Sequence, residues 1–241
     1  MHELDDMELL VDGAKQLGID LTDRQLEQFS IYMSVLLEWN EKFNLTRITD
    51  PRDIVIKHFL DSLSCFSAYS FPLDARVIDV GSGAGFPGIP LEIVRPDLNI
   101  TLLDSTRKRL AFLEEAATQL ELAGISILEG RAEEAGRDRT HRAFYQVVMA
   151  RAVARMNILM EYLLPLVRRG GVAIAQKGPD VREELAEAAH SISLLGGELE
   201  SIVQVTLPHS GIHRNLVVVR KIAATTSPYP RRAAVIQKEP L

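Results

Sequence analysis

The sequence contains very little cysteine and no long hydrophobic run. Cys65 is the only cysteine in the 241 residues, which excludes a disulfide framework and a thiolate metal cluster and fits a reducing compartment. No segment reaches the roughly eighteen consecutive apolar residues of a membrane helix, and the opening residues, MHELDDMELL, are too polar for a secretory signal. The six histidines and the acids show no metal-ligand spacing. We therefore expect a cytoplasmic protein without a membrane partner or a metal.

The charge of the chain is unevenly distributed. The net charge of −6 argues against general nucleic-acid binding. Residues 1–130, however, carry 11 Lys/Arg against 22 Asp/Glu, whereas residues 131–241 carry 16 against 11. The basic half is rich in arginine. This positive charge indicates a functional surface only if those arginines surround a binding site.

Helix signals dominate the first 72 residues. Apolar residues at helical spacing precede Gly18, which is typical of a helix end. Thr22 and Gln25 form a capping box, and Asp50 followed by Pro51 predicts the start of a third helix.

From Arg76 onward, short β-branched runs alternate with amphipathic segments, which predicts a mostly parallel sheet covered on both faces. The last two strands have no helix between them and should pair antiparallel. The predicted strands are 76–80, 100–104, 125–129, 145–150, 171–175, 199–207 and 215–220, and the helices are 107–123, 156–168 and 181–195. The chain length suits one core with an appendage, so we predict a helical extension (1–72), an α/β domain (73–222) and a C-terminal tail (223–241).

The stretch RVIDVGSGAGFPGIPLEI places glycines directly after the first predicted strand. Part of it matches the dinucleotide pattern G-x-G-x-x-G, but such a short match is a weak signal. The strand ends at Val80, so the loop begins at Gly81, and in that register the third glycine is replaced by Phe86. The loop, including Gly83, therefore predicts a nucleotide-like ligand without naming it.

Two carboxylates at strand ends narrow the choice of ligand. Asp79 would repel a pyrophosphate but suits the positive charges of S-adenosylmethionine. Asp104, at the end of the second strand, can accept hydrogen bonds from both ribose hydroxyls, as in nucleotide sites of either kind. A nicotinamide-dependent oxidoreductase is the alternative enzyme. Three features count against the oxidoreductase: Asp79, the misplaced third glycine, and the absence of a proton-donating Tyr-x-x-x-Lys or histidine.

Several motifs along the chain resemble those of the bacterial 16S ribosomal RNA methyltransferase G family, also called glucose-inhibited division protein B. They are WNEKFNLT, HFLDSL, VIDVGSGAGFPGIPLEI, LLDSTRKRLAFL, GRAEEAG, MARAV and QKG. The resemblance implies a Rossmann-like class I methyltransferase fold, with a seven-stranded sheet and an N-terminal helical extension. It implies a monomeric enzyme that transfers methyl from S-adenosylmethionine to guanine N7 in 16S rRNA or the small ribosomal subunit. A non-catalytic ribosome-assembly module of the same fold stays open.

The resemblance also assigns residues. It places cofactor contacts at Gly81, Phe86, Ala132, Glu133 and Arg151, to which the strand-end reasoning adds Asp79, Gly83 and Asp104. For the catalytic rim that grips RNA phosphate or the cofactor carboxylate, we predict Arg131, Arg151 and Lys177.

Other residues have weaker assignments. Lys57 and His58 are either a polar helix face or part of the site, and Arg214 is expected to be a solvated turn residue. In the tail, the family's glycine and proline are replaced by Ala234 and Ile236, which weakens the case that this tail touches RNA.

Overall fold

The computed structural model describes residues 5–151 and 154–241. The first four residues of the predicted extension, and Ala152 and Val153 of the MARAV motif, lie outside the described residues. The helices are α1 (Asp6–Gln16), α2 (Asp23–Phe43), α3 (Pro51–Ile54), α4 (Asp61–Leu63), α5 (Gly88–Val94), α6 (Arg107–Gln119), α7 (Ala132–Ala135), α8 (Met156–Leu163), α9 (Arg182–Leu194) and α10 (Ala233–Lys238). The strands are β1 (Arg76–Val80), β2 (Asn99–Asp104), β3 (Ile125–Glu129), β4 (Tyr145–Arg151), β5 (Val167–Lys177), β6 (Gly197–Thr206) and β7 (His213–Lys221).

The strands form one seven-stranded sheet in the order β3-β2-β1-β4-β5-β7-β6. Strands β1 to β5 pair in parallel, and β7 runs antiparallel to both β5 and β6. The predicted mostly parallel sheet with a terminal antiparallel pair is therefore confirmed. The strand order reverses between β1 and β4, and in such sheets the ligand crevice lies beyond the carboxyl ends of the strands at this point.

Two predicted helices are too long at their C-terminal ends. The helix predicted over 107–123 ends at Gln119. Shortly afterwards Glu121 adopts a left-handed conformation, with a φ of 54°, and a right-handed α-helix cannot continue through such a residue. The helix predicted over 156–168 stops at Leu163 because β5 already begins at Val167 and pairs there with Tyr145.

The N-terminal helices share a core with one face of the sheet. Helix α2 begins with the predicted capping box, in which the Thr22 hydroxyl and the Gln25 side chain bond each other's backbone N–H groups. The Tyr32 ring stacks on Phe59 at 5.5 Å and lies 5.2 Å from Phe86 of the glycine loop. The extension therefore covers the loop directly and does not form a separate globule.

The third predicted helix begins at its Asp50 cap as expected but is not regular. After α3 the chain widens into a π-helical stretch, Val55–Leu60, before α4. Such stretches often occur at functional sites, and this one faces the carboxyl ends of the strands. Within residues 5–151 and 154–241, no helix combines the length and hydrophobicity that a membrane crossing requires.

Candidate functional site

The glycine loop connects β1 to α5 in a conformation that requires glycine. Gly81, Gly83 and Gly85 have positive φ angles of 71°, 58° and 88°, which side chains rarely tolerate. The N–H of Gly81 donates to the carbonyl of Leu103 at 2.8 Å, which ties the loop to the end of β2. A Cβ on Gly85 would lie 2.5 Å from Ile89 Cδ1, whereas one on Gly83 meets no side chain within 4 Å. The loop is thus packed on its inner side and open at Gly83.

Asp104 fixes the loop from the neighbouring strand. Its side chain is 4% exposed, and Oδ2 accepts from the N–H of Gly83 at 3.1 Å while Oδ1 accepts from the N–H of Thr106 at 2.9 Å. The guanidinium of Arg109 lies 3.3 Å from Oδ2. These contacts hold the side chain of Asp104 in a fixed orientation beside the loop.

A pocket of about 260 Å³ opens beside Asp104. Small-molecule sites commonly span roughly 300–1,000 Å³, so this volume suits part of a nucleotide-like ligand. Five predicted site residues meet there, although they come from three separate connections between strands and helices. The lining residues are Val80, Gly81, Leu103, Asp104, Ser105, Arg109, Gly130, Arg131, Ala132, Glu133, Tyr162 and Gln237.

Asp79 is fully buried below the loop, at the end of β1. Its Oδ2 accepts from the N–H of Gly88 at 2.9 Å, whereas its Oδ1 has no hydrogen-bond partner among the described residues. Burial raises the pKa of Asp79 to about 7; the Gly88 N–H and Arg151 act in the opposite direction, and Asp104 adds to the rise. The oxygen without a partner could accept a hydrogen bond from the ammonium group, and the carboxylate charge would attract the sulfonium, the two positive groups expected from the sequence.

Arg151, at the end of β4, is held over the strand ends by Asp61. Its Nη1 donates to Asp61 Oδ2 at 3.3 Å and to the Lys57 carbonyl at 3.2 Å. Its guanidinium also lies over the Phe86 ring, 5.0 Å from the centroid. Arg214 donates through Nε to the other oxygen of Asp61 at 2.9 Å. The solvated role expected for Arg214 is therefore wrong, because the residue pairs with a carboxylate that is 2% exposed.

His58 is neutral and a weak base in this setting. Burial, followed by the charge of Arg151, lowers its pKa to about 3. Nδ1 lies 3.3 Å from Arg151 Nη2 and 3.1 Å from the Lys57 carbonyl, and Nε2 lies 3.0 Å from the Thr46 hydroxyl. The imidazole also stacks on Phe86, with 4.4 Å between ring centroids. His58 thus supports the loop and Arg151.

The remaining predicted residues lie in different settings. Arg131 lines the pocket and is exposed. The Phe86 ring is buried, so only the main chain of Phe86 is free to reach a ligand.

The ammonium of Lys177 lies 2.6 Å from Glu184 Oε2 and 2.7 Å from the Ala154 carbonyl. This pairing, with a side chain 11% exposed, favours a structural role for Lys177 over the predicted contact with RNA.

Sequence reasoning assigned no role to several residues that the structure brings to the site, among them Asp61, Tyr162 and Gln237. Asp61 belongs to the motif HFLDSL, so that motif was the available signal for it. Tyr162 and Gln237 line the pocket, but they come from a helix and a tail that carry no recognisable nucleotide-binding pattern.

Comparisons with known proteins identify the relatives of this chain. The family model described as rRNA small subunit methyltransferase G (GidB) matches residues 25–217. A ribosomal RNA small subunit methyltransferase G of Alkaliphilus oremlandii is 47% identical over 97% of this chain and 98% of its own. One from Thermoanaerobacter pseudethanolicus is 47% identical over 98% of both chains.

Solved structures support the fold alone, because their sequence identity is low. A SAM dependent methyltransferase from Aquifex aeolicus superposes with a TM-score of 0.55 at 15% identity, over 74% of this chain and 97% of its own. Precorrin-6y C5,15-methyltransferase from Geobacter metallireducens gives a TM-score of 0.51 at 16% identity, over 66% and 88%.

Proposed function

Because the chain belongs to the rRNA small subunit methyltransferase G family, we propose that the crevice beside the glycine loop binds its cofactor and that the arginine rim holds its RNA. The protein is an enzyme that uses S-adenosylmethionine to methylate N7 of a guanosine in 16S rRNA. The observation that carries the site proposal is the pocket in which Gly81, Asp104, Ala132 and Glu133 converge; Asp79, at the end of the strand that leads into the glycine loop, adds a buried oxygen without a hydrogen-bond partner among the described residues. We further propose that it acts as a cytoplasmic monomer on the small ribosomal subunit or its rRNA.

Each cofactor residue has a role that follows from its chemistry. The carboxylate of Asp104 accepts hydrogen bonds from the ribose hydroxyls, and main-chain groups of Ala132 and Glu133 hold the adenine edge. The free oxygen of Asp79 takes the ammonium end. Main-chain groups of Gly81, Gly83 and Phe86 line the path between these positions, where the open side of the loop lets a ligand approach closely.

The reaction needs positioning more than acid–base catalysis. A bound cofactor would supply an electrophilic methyl group on a sulfonium. Guanine N7, whose free lone pair makes it an acceptor in the major groove, would form the new bond to that methyl carbon while the carbon–sulfur bond breaks and the sulfur leaves as a neutral thioether. No proton has to be removed, which agrees with a neighbouring His58 whose pKa of about 3 makes it a poor base. The guanine becomes positively charged, so Arg151 and Arg131 must hold phosphate or the cofactor carboxylate and not the base. Good positioning alone can contribute about 7–11 kcal/mol.

Replacing Asp104 by alanine tests the cofactor site. The change removes the acceptor for the ribose and the anchor of the Gly83 N–H. Hydrogen bonds to a charged group contribute about 1.5–3 kcal/mol each, so we expect S-adenosylmethionine to bind at least about tenfold more weakly in calorimetry. Asp138, a fully exposed acid, gives the matched control, and Asp138→Ala should bind like the wild type. Tight binding of a nicotinamide dinucleotide by the wild type would instead support the oxidoreductase.

Replacing Arg131 by alanine tests the RNA rim. Removing one phosphate contact should lower the slope of log affinity against log salt by about 0.7–0.9 while the same base is methylated. Filter binding of 16S rRNA at several salt concentrations measures this slope. Lys42→Ala is the control, since Lys42 is an exposed cation on α2 that pairs with Glu38. An unchanged slope in Arg131→Ala places the RNA elsewhere, whereas a wild type that binds RNA without methylating it supports the assembly module.

A further inference from the structure

We propose that the C-terminal tail is part of the cofactor site and that Gln237 contacts the adenosine part of S-adenosylmethionine. This inference rests on the proposed function of the pocket. Gln237 and Tyr162 form a third wall of that pocket, in addition to the glycine loop with Asp104 and the segment 130–133. Neither residue belongs to a motif that the family resemblance assigns to the cofactor.

The tail is anchored by an ion pair whose carboxylate is fully buried. Glu161 on α8 is 0% exposed, and its two oxygens accept from Nε of Arg231 at 2.9 Å and from Nη2 at 2.7 Å. The backbone N–H of Arg231 also donates to Glu161 Oε1 at 2.7 Å. This three-point attachment fixes the chain immediately before α10.

Two further arginines tie the tail to the segment that follows α7. Arg142 donates to the carbonyls of Thr225 and Tyr229, both at 2.7 Å, and Arg137 donates to the carbonyl of Pro230 at 2.7 Å. Helix α7 carries Ala132 and Glu133. The tail therefore has a fixed position relative to the residues proposed to hold the adenine.

Ala234 and Ile236 are compatible with the short helix that carries Gln237. A glycine at position 234 would weaken α10, and a proline at position 236 would lack the N–H that Ile236 donates to the Arg232 carbonyl at 3.1 Å. With Ala234 and Ile236 present, α10 forms, and the Ile236 side chain is fully buried in the core. Gln237, the next residue along the chain, lines the pocket.

The amide of Gln237 has the chemistry to recognise adenine. Its Nε2 is hydrogen-bonded to the Tyr162 hydroxyl at 3.0 Å, which orients the amide and leaves its other polar atom available. A glutamine amide pairs well with the N6 amine and a ring nitrogen of adenine, as in DNA recognition. The pocket thus offers a polar contact beyond Asp104 and the main chain of α7.

Calorimetry with S-adenosylmethionine and with methylthioadenosine, which lacks the amino-acid end, tests the contact. Gln237→Ala should weaken both ligands by the same factor, about three- to tenfold. Lys238→Ala, at an adjacent side chain that is 81% exposed, should leave both affinities unchanged. Thermal melting of each variant confirms that the fold is retained.

The results distinguish a failure of the proposed Gln237 contact from a failure of the proposed function. Wild-type affinity for both ligands in Gln237→Ala overturns the tail contact but leaves the proposed function standing. Weakening of S-adenosylmethionine alone also overturns it, because the contact would then lie at the amino-acid end. A wild-type protein that binds neither ligand contradicts the proposed function itself.

Discussion

The affinity for S-adenosylmethionine should rise by up to about tenfold per pH unit between pH 5 and pH 7 and level off between pH 7 and about pH 8, where the ammonium group of the ligand begins to lose its proton. The reason is Asp79, whose pKa burial raises to about 7. Below that pH the free protein holds the carboxyl in its neutral form, and the proposed ammonium contact needs the carboxylate, so each binding event must release a proton. Calorimetry in buffers of different ionisation enthalpy measures both the affinity and the proton released.

The fold itself should respond to pH in the opposite direction. With a folded-state pKa of about 7 against an ordinary value of 3.8, the folded protein binds more protons than the unfolded chain between about pH 4 and pH 7. Stability without cofactor should therefore fall as pH rises through this window. Thermal melting of the cofactor-free protein at several pH values measures this change in stability.

Asp79→Asn supplies the control for both measurements. The amide keeps the size of the side chain but does not titrate, so the pH dependence of cofactor affinity and that of melting should both flatten. Single-turnover methylation at saturating cofactor should vary little from about pH 6.5 to 9 in the wild type, since N7 needs no general base. An affinity that is independent of pH in the wild type contradicts the assigned contact between Asp79 and the cofactor.

Asp61→Ala should lower the free energy of unfolding by about 3–5 kcal/mol. Asp61 is 2% exposed and pairs with both Arg151 and Arg214, so its removal leaves two partly buried guanidinium groups without the carboxylate that they share. Urea unfolding measures the loss. Asp53→Ala is the matched control from the same helical segment, because Asp53 pairs with Lys57 at the surface and such pairs contribute about 0–1 kcal/mol.

A second substitution separates the charge effect from lost packing. In Asp61→Ala/Arg214→Met one of the two unpaired charges is gone, so part of the stability should return. Methylation should stay low in both variants, because Arg151 has lost the carboxylate that orients it. If Asp61→Ala costs no more than Asp53→Ala, Asp61 does not hold the two arginines together.

The sequence alone determined the elements and the position of the crevice. Capping residues such as Thr22, the alternation of strands with helices, and the glycines after Val80 act over a few residues. Their effect on backbone conformation is mainly local. The predicted strands and the antiparallel pair at the end of the sheet were therefore confirmed, and helix ends were the main errors because competing turns and strands decide them.

The tertiary structure alone decided which charged groups meet. Asp61 and Arg214 are 153 positions apart in the chain, and the tail residue Gln237 bonds Tyr162 across 75 positions. Packing also brings Lys177 into an ion pair with Glu184. It buries Asp79, and this burial raises the pKa of the carboxyl group. Charge pairing and pKa depend on distance and burial in three dimensions, and local spacing along the sequence encodes neither.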